Sequence, residues 1–113
     1  MDITVYKRAK DGKKIHEELK TKAIQIRFKE RSIDVKKNIY IGRNQTNAIS
    51  IKDDPLVSRK HALIEHIRGC YYLSDLGSTN GTYLNNQPIA CNKRLELSSG
   101  DVIRVGKTEL IVS

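Results

Sequence analysis

Ser74-Asp75-Leu76-Gly77-Ser78-Thr79-Asn80-Gly81-Thr82-Tyr83-Leu84-Asn85 is the stretch on which the fold turns. Its middle, Gly77 to Gly81, is a loop on composition alone. Before it, Cys70 to Ser74 reads as a strand, and after it Thr82-Tyr83-Leu84 reads as a shorter one. Upstream the same period of two recurs. Ile24, Ile26 and Phe28 alternate with Gln25, Arg27 and Lys29, which makes a half-buried strand. Ile33 and Val35, Ile39 and Ile41, then Ile49 and Ile51 repeat the pattern, and Asp53-Asp54-Pro55 stops it. His61 to Ile67 is richer in apolar residues and is predicted to be a more buried strand. Downstream, Asn85 to Pro88 is predicted to be a turn, and Leu95 and Leu97 lead into Ser99-Gly100-Asp101. Val102 to Val105 and Glu109 to Val112 form a hairpin around Gly106-Lys107. Many short strands with turn signals at regular spacing predict an all-β sandwich or barrel.

Three polar segments serve no period-two core: Gly42-Arg43-Asn44, Ser58-Arg59-Lys60-His61 and Gly77 to Gly81. Each borders a predicted strand, so sheet topology can bring them to one rim. Together they supply a guanidinium, two or three hydroxyls, an amide and a second cation. That inventory suits a phosphate monoester. Arginine offers a fork of charge-assisted donors, and hydroxyls and backbone N–H groups take the remaining oxygens. An asparagine both donates to and accepts from a peptide backbone, so it holds an extended ligand without reading its side chains.

The chain has 113 residues, 38% hydrophobic and 30% charged, which fits a globular domain with one modest core. With no Trp and one Phe, that core rests on Ile, Leu and Val. The net charge is +8, from 21 Lys and Arg against 13 Asp and Glu, which favours anionic partners without choosing among them. Much of the surplus lies before residue 23, in Lys7, Arg8, Lys10, Lys13, Lys14, Lys20 and Lys22. Residues 1–22 read as a basic N-terminal segment, an extra strand at Ile3 and Val5 or a flexible flank, and Lys13 to Lys22 has a thin helical periodicity. Cys70 and Cys91 match no metal spacing and are expected to be reduced, partly buried thiols. No apolar signal region and no membrane-length apolar run is visible, so the expected location is cytoplasmic, without a membrane. Nothing calls for a cofactor or a metal, and a monomer is expected.

In order and spacing, Gly42-Arg43-Asn44, Ser58-Arg59-Lys60-His61, the Ser74 to Asn85 stretch and Ser99-Gly100-Asp101-Val102-Ile103-Arg104-Val105-Gly106 resemble the forkhead-associated (FHA) family over residues 23–113. The resemblance implies an FHA-type β-sandwich (SMAD/FHA-like) of about eleven strands with binding loops at one end. It implies that Arg43, Ser58, Arg59 and Thr79 bind the phosphate of a phosphothreonine and that Asn80 holds the peptide backbone beside it. It gives Gly42, His61, Gly81 and Asn86 supporting roles: tight loop geometry for the glycines, a buttress for His61, and a neighbouring loop stabilised by Asn86. The implied function is a phosphopeptide-binding adaptor in Ser/Thr kinase signalling, with a phosphothreonine protein as partner and a Ser/Thr kinase upstream.

Three other functions compete. A phospho-independent scaffolding FHA domain would share the fold. A hydrolase built on Ser58 and His61 lacks the G-x-S-x-G elbow and any third group to orient its base. A nucleic-acid-binding module would pair its cations with stacking aromatics, and the five tyrosines do not cluster with the basic segment. The expectation is therefore a binding module with no catalytic residues.

Overall fold

A computed structural model describes residues 23–113. The sequence readings for residues 1–22, an added strand or a helical connector, lie outside the described residues.

Eleven strands follow one another with no helix among the described residues: β1 Ile24–Phe28, β2 Arg31–Val35, β3 Ile39–Gly42, β4 Ile49–Ser50, β5 Ala62–Ile67, β6 Cys70–Asp75, β7 Thr82–Leu84, β8 Gln87–Pro88, β9 Leu95–Glu96, β10 Val102–Val105 and β11 Thr108–Val112. They form two sheets, in the orders β2-β1-β11-β10-β7-β8 and β4-β3-β5-β6-β9. Every pairing is antiparallel except β3 with β4, which run parallel.

The period of two sets the core. Ile26 and Phe28 of β1, Ile39 and Ile41 of β3, Ile64 of β5, Leu73 of β6, Ile103 and Val105 of β10 and Leu110 and Val112 of β11 all turn inward. Their exposed neighbours, such as Gln25, Arg27 and Tyr40, turn outward. Fully burying each large aliphatic side chain contributes about 1.5–3 kcal/mol. The core is aliphatic, as the composition predicts, with Phe28 and Tyr71 as its aromatic members.

The structure differs from the sequence reading in three places. Asn85 to Pro88 is a turn only at Asn85 and Asn86, whose φ values of 52° and 70° are those of a two-residue hairpin turn. Gln87 and Pro88 then pair with Leu84 and Tyr83 as an added edge strand, where a proline is tolerated. Leu95 is 39% exposed because β9 is a sheet edge, while Leu97 is buried. Cys70 is half-buried as expected, but Cys91 is exposed; both are free thiols.

The topology collects the connections β3–β4, β4–β5, β6–β7 and β10–β11 at one end of the sandwich. Here the chain beyond the ladder stays paired. The His61 amide donates to the Ile41 carbonyl at 2.8 Å, Arg43 N–H to the Ser58 carbonyl at 2.9 Å, and Asn44 N–H to the Arg59 carbonyl at 3.2 Å. Residues 41–44 and 58–61 therefore run side by side onto the rim.

Candidate functional site

Gly42 lets the two strands of the rim approach. A Cβ there would fall on the Arg59 carbonyl oxygen and within 2.8 Å of Asn47 Nδ2. Asn47 is itself buried, and its Nδ2 donates to the Arg59 carbonyl at 2.7 Å and the Asn44 carbonyl at 2.8 Å. Its Oδ1 is buried without a partner among the described residues. The β3–β4 loop is thus tied to the β4–β5 loop by backbone and side chain together.

Arg43 projects from this tied frame and is exposed. Its Nε donates to the Val57 carbonyl at 2.9 Å, which fixes the plane of the guanidinium. The two terminal nitrogens have no hydrogen-bond partner among the described residues. Ser58 is half-buried. Its Oγ accepts the Thr79 N–H at 3.1 Å, which joins the β4–β5 loop to the β6–β7 loop and leaves the hydroxyl proton free to donate. Thr79 and Asn80 are exposed, and Asn80 Nδ2 donates to the Leu56 carbonyl at 2.9 Å. That bond anchors the carboxamide and leaves its oxygen free. The Arg59 side chain is exposed and unbonded among the described residues.

His61 stands behind this surface, fully buried. Its Nδ1 accepts the Ser58 N–H at 3.0 Å, so the ring is protonated on Nε2, which donates to the Gly81 carbonyl at 2.8 Å. One neutral imidazole therefore bridges the two loops that carry Ser58 and Thr79. Both ring nitrogens are occupied by main chain, and neither faces the Ser58 hydroxyl.

Asp75 shapes the β6–β7 loop. Its carboxylate accepts from the Ser78 hydroxyl at 2.6 Å, the Thr82 hydroxyl at 2.6 Å and the N–H groups of Gly77 at 2.9 Å and Ser78 at 3.1 Å. Burial alone would raise this carboxyl, but the two hydroxyl bonds and two amide bonds outweigh it and hold it below its ordinary value. Gly81 closes the loop at φ 85°, a left-handed value that a side chain resists, and its N–H donates to Ser78 Oγ at 2.9 Å. Asp54 does the same service for the β4–β5 loop. It accepts from Lys107 N–H at 2.6 Å, Thr108 Oγ1 at 2.8 Å and Leu56 N–H at 3.0 Å, which pins that loop to the β10–β11 hairpin. Burial again pushes its carboxyl up, and these bonds together with the nearby Lys107 charge bring it below the usual value.

Of the residues singled out in the sequence, Gly42, Arg43, Ser58, Arg59, His61, Thr79, Asn80 and Gly81 lie on this one connected set of loops. Asn86 does not join them. It sits at the far end of β7. The bonds across that turn come from Asn85, whose carboxamide donates to Asp101 Oδ1 at 3.0 Å and accepts the Val102 N–H at 2.9 Å. Asn47, Asp54 and Asp75 carry no site role in the sequence reading. The signal for the two acids was there: an Asp two or three residues before a Gly, Ser or Leu amide in a turn is a common self-bonding arrangement.

The FHA domain family model matches residues 39–106 of the chain. FhaA of Mycobacterium tuberculosis, an FHA domain-containing protein, is 43% identical over 72 residues, which cover 64% of this chain and 13% of FhaA. The oxoglutarate dehydrogenase inhibitor of Corynebacterium diphtheriae is 40% identical over 70 residues, covering 62% of this chain and 46% of that protein. The chain spans less than half the length of these relatives. A solved structure from work on phosphothreonine-dependent FHA domain interactions superposes with a TM-score of 0.73 at 34% identity, covering 80% of this chain and 95% of that one. With more than half of its residues inside the family model and the same sandwich as that structure, the chain belongs to the FHA domain family.

Proposed function

We propose that the chain is a phosphothreonine-binding module that tethers a phosphorylated partner in Ser/Thr kinase signalling in the cytoplasm, and that it performs no chemistry on that partner. The observation that carries this reading is the rim itself. Arg43 offers two guanidinium nitrogens that are unbonded among the described residues, Ser58 and Thr79 offer hydroxyls, and Asn80 offers a carboxamide oxygen, all on loops tied to one buried frame. In this reading Arg43, Ser58 and Thr79 take the phosphate oxygens, Arg59 adds charge beside them, and Asn80 accepts a peptide N–H. A dianionic phosphate is well matched to such donors. A binding role also accords with His61, whose two nitrogens are spent on main-chain bonds and leave Ser58 without a base.

Affinity in the micromolar range, about 8 kcal/mol, is expected. Titrating a phosphothreonine peptide library against wild type and Arg43→Ala tests the assignment. Arg43→Ala should lose about 2–5 kcal/mol. Equal binding by the two proteins, or equal binding of the unphosphorylated peptides, overturns it.

A further inference from the structure

We infer that the phosphothreonine read by this module sits among acidic residues, carboxylates or a second phosphate, and that Lys60 on the rim selects them; the inference rests on the phosphothreonine reading above. The three site loops and their flanks carry four cations, Arg43, Lys52, Arg59 and Lys60, all exposed. Their three carboxylates are engaged elsewhere. Asp54 and Asp75 are buried and point inward at hydroxyls and main-chain N–H groups. Asp53 faces Lys29 at 3.5 Å. Only Asp53, exposed and shared with Lys29, is left on these loops to offset four cations, and a phosphate dianion consumes only those that touch it.

Lys60 differs from an ordinary surface lysine. Its Nζ lies 4.4 Å from the centre of the Tyr40 ring, and Tyr40 stands on the outer face of β3 with 40% of its surface exposed. The ring attracts the ammonium and narrows the range of positions it samples, so less freedom is lost when it meets a carboxylate. The backbone beneath it is also fixed, because the Arg59 carbonyl takes bonds from Asn47 Nδ2 and Asn44 N–H and the His61 amide is paired with Ile41. Residues 58–61 run beside residues 41–44, so the ammonium lies over the strand, β3, that leads into Arg43.

The test uses peptides of one length with a single central phosphothreonine. The flanks are neutral, aspartate-rich, lysine-rich or carry one additional phosphoserine, and an unphosphorylated aspartate-rich peptide is the control. Wild type should bind the aspartate and phosphoserine peptides about three- to tenfold more tightly than the neutral one at low salt, the range for one or two exposed ion pairs. The lysine peptide should bind more weakly than the neutral one. Which of the two acidic arms gains more identifies carboxylate or phosphate as the source. In Lys60→Gln, and in part in Tyr40→Leu, the acidic-to-neutral ratio should fall toward one, with thermal melts confirming that both variants are folded. Equal affinity of wild type for neutral and acidic flanks overturns the inference, as does tight binding of the unphosphorylated control. Failure of every phosphothreonine peptide, whatever its flank, instead sinks the phosphothreonine reading itself.

Discussion

The two ends of this sandwich are built by different means. At the far end the hairpins close with two residues, Arg68-Gly69 between β5 and β6 and Asn85-Asn86 between β7 and β8, all four at positive φ. Positive-φ backbone makes those turns, and their polar side chains stay exposed even where, as at Asn85, they bond across to Asp101 and Val102. At the loop end, besides the two-residue turns at Lys29-Glu30 and Gly106-Lys107, the connections span residues 43–48, 51–61 and 76–81. They are held by side chains that are buried and fully or largely bonded: Asn47, Asp54, His61 and Asp75. A short turn specifies itself. A long loop in one conformation needs interior polar groups that cross to other loops, and such groups are costly unless satisfied. Their concentration at one end marks where the fold spends stability to hold a shape.

If that contrast is right, substitutions of equal chemical size should cost much more at the loop end. The largest effect is expected for Asp75→Ala, which leaves two hydroxyls and two amides without their acceptor. Unfolding in denaturant should show a loss of about 3–4 kcal/mol, with phosphopeptide binding lost as well. His61→Ala removes a fully buried ring and both bridging bonds, and should cost about 2–4 kcal/mol. Gly42→Ala forces a Cβ against the Arg59 carbonyl and should cost about 1–3 kcal/mol by the same measurement. Asn85→Ala at the far end should cost about 0.5–1.5 kcal/mol and leave peptide affinity unchanged. A loss at Asn85 as large as that at Asp75 would erase the distinction between the ends.

Acid sharpens the same comparison. Asp54 and Asp75 both titrate below their ordinary 3.8 in the folded chain. Below that value the unfolded chain takes up the proton first. The stability these two carboxylates contribute is therefore fully present above about pH 5 and is lost as pH falls through their lowered folded values. Stability followed from neutral pH down to about pH 2 should fall along this limb, and Asp54→Asn should flatten it.

Much of this was legible in the sequence. Alternation located nearly every strand because one face of each sheet is dry, and Ile26, Ile41, Ile64, Ile103 and Leu110 had to share that face. The rim segments were legible because their polar residues serve no period-two core, and the roles of Arg43, Ser58, Thr79 and Asn80 came with the resemblance to the FHA family. What escaped was polar and inside. Asp75 follows Ser74 and both are buried at the end of β6, so alternation fails there, and its partners Ser78 and Thr82 are defined only once the loop has folded back. Asn47 had no pattern at all, since its two acceptors lie in different loops. Asn85 and Asn86 are chemically alike and adjacent, and only the pairing of β7 with β10 decides which of them faces Asp101 and Val102.

The Arg59 carbonyl, clamped by Asn47 and packed against Gly42, separates the two halves of that residue. Its main chain belongs to the scaffold, while its exposed side chain has no hydrogen bond or ion pair among the described residues. At Lys60 too the neighbours on both sides are anchored, while its ammonium rests on the exposed Tyr40 ring. Mutational drift at these two positions can therefore rewrite the charge offered to a ligand without moving the loop that offers it. A lineage, or an engineer, can retune the preference of the module one side chain at a time, provided Gly42, Asn47 and His61 are left alone.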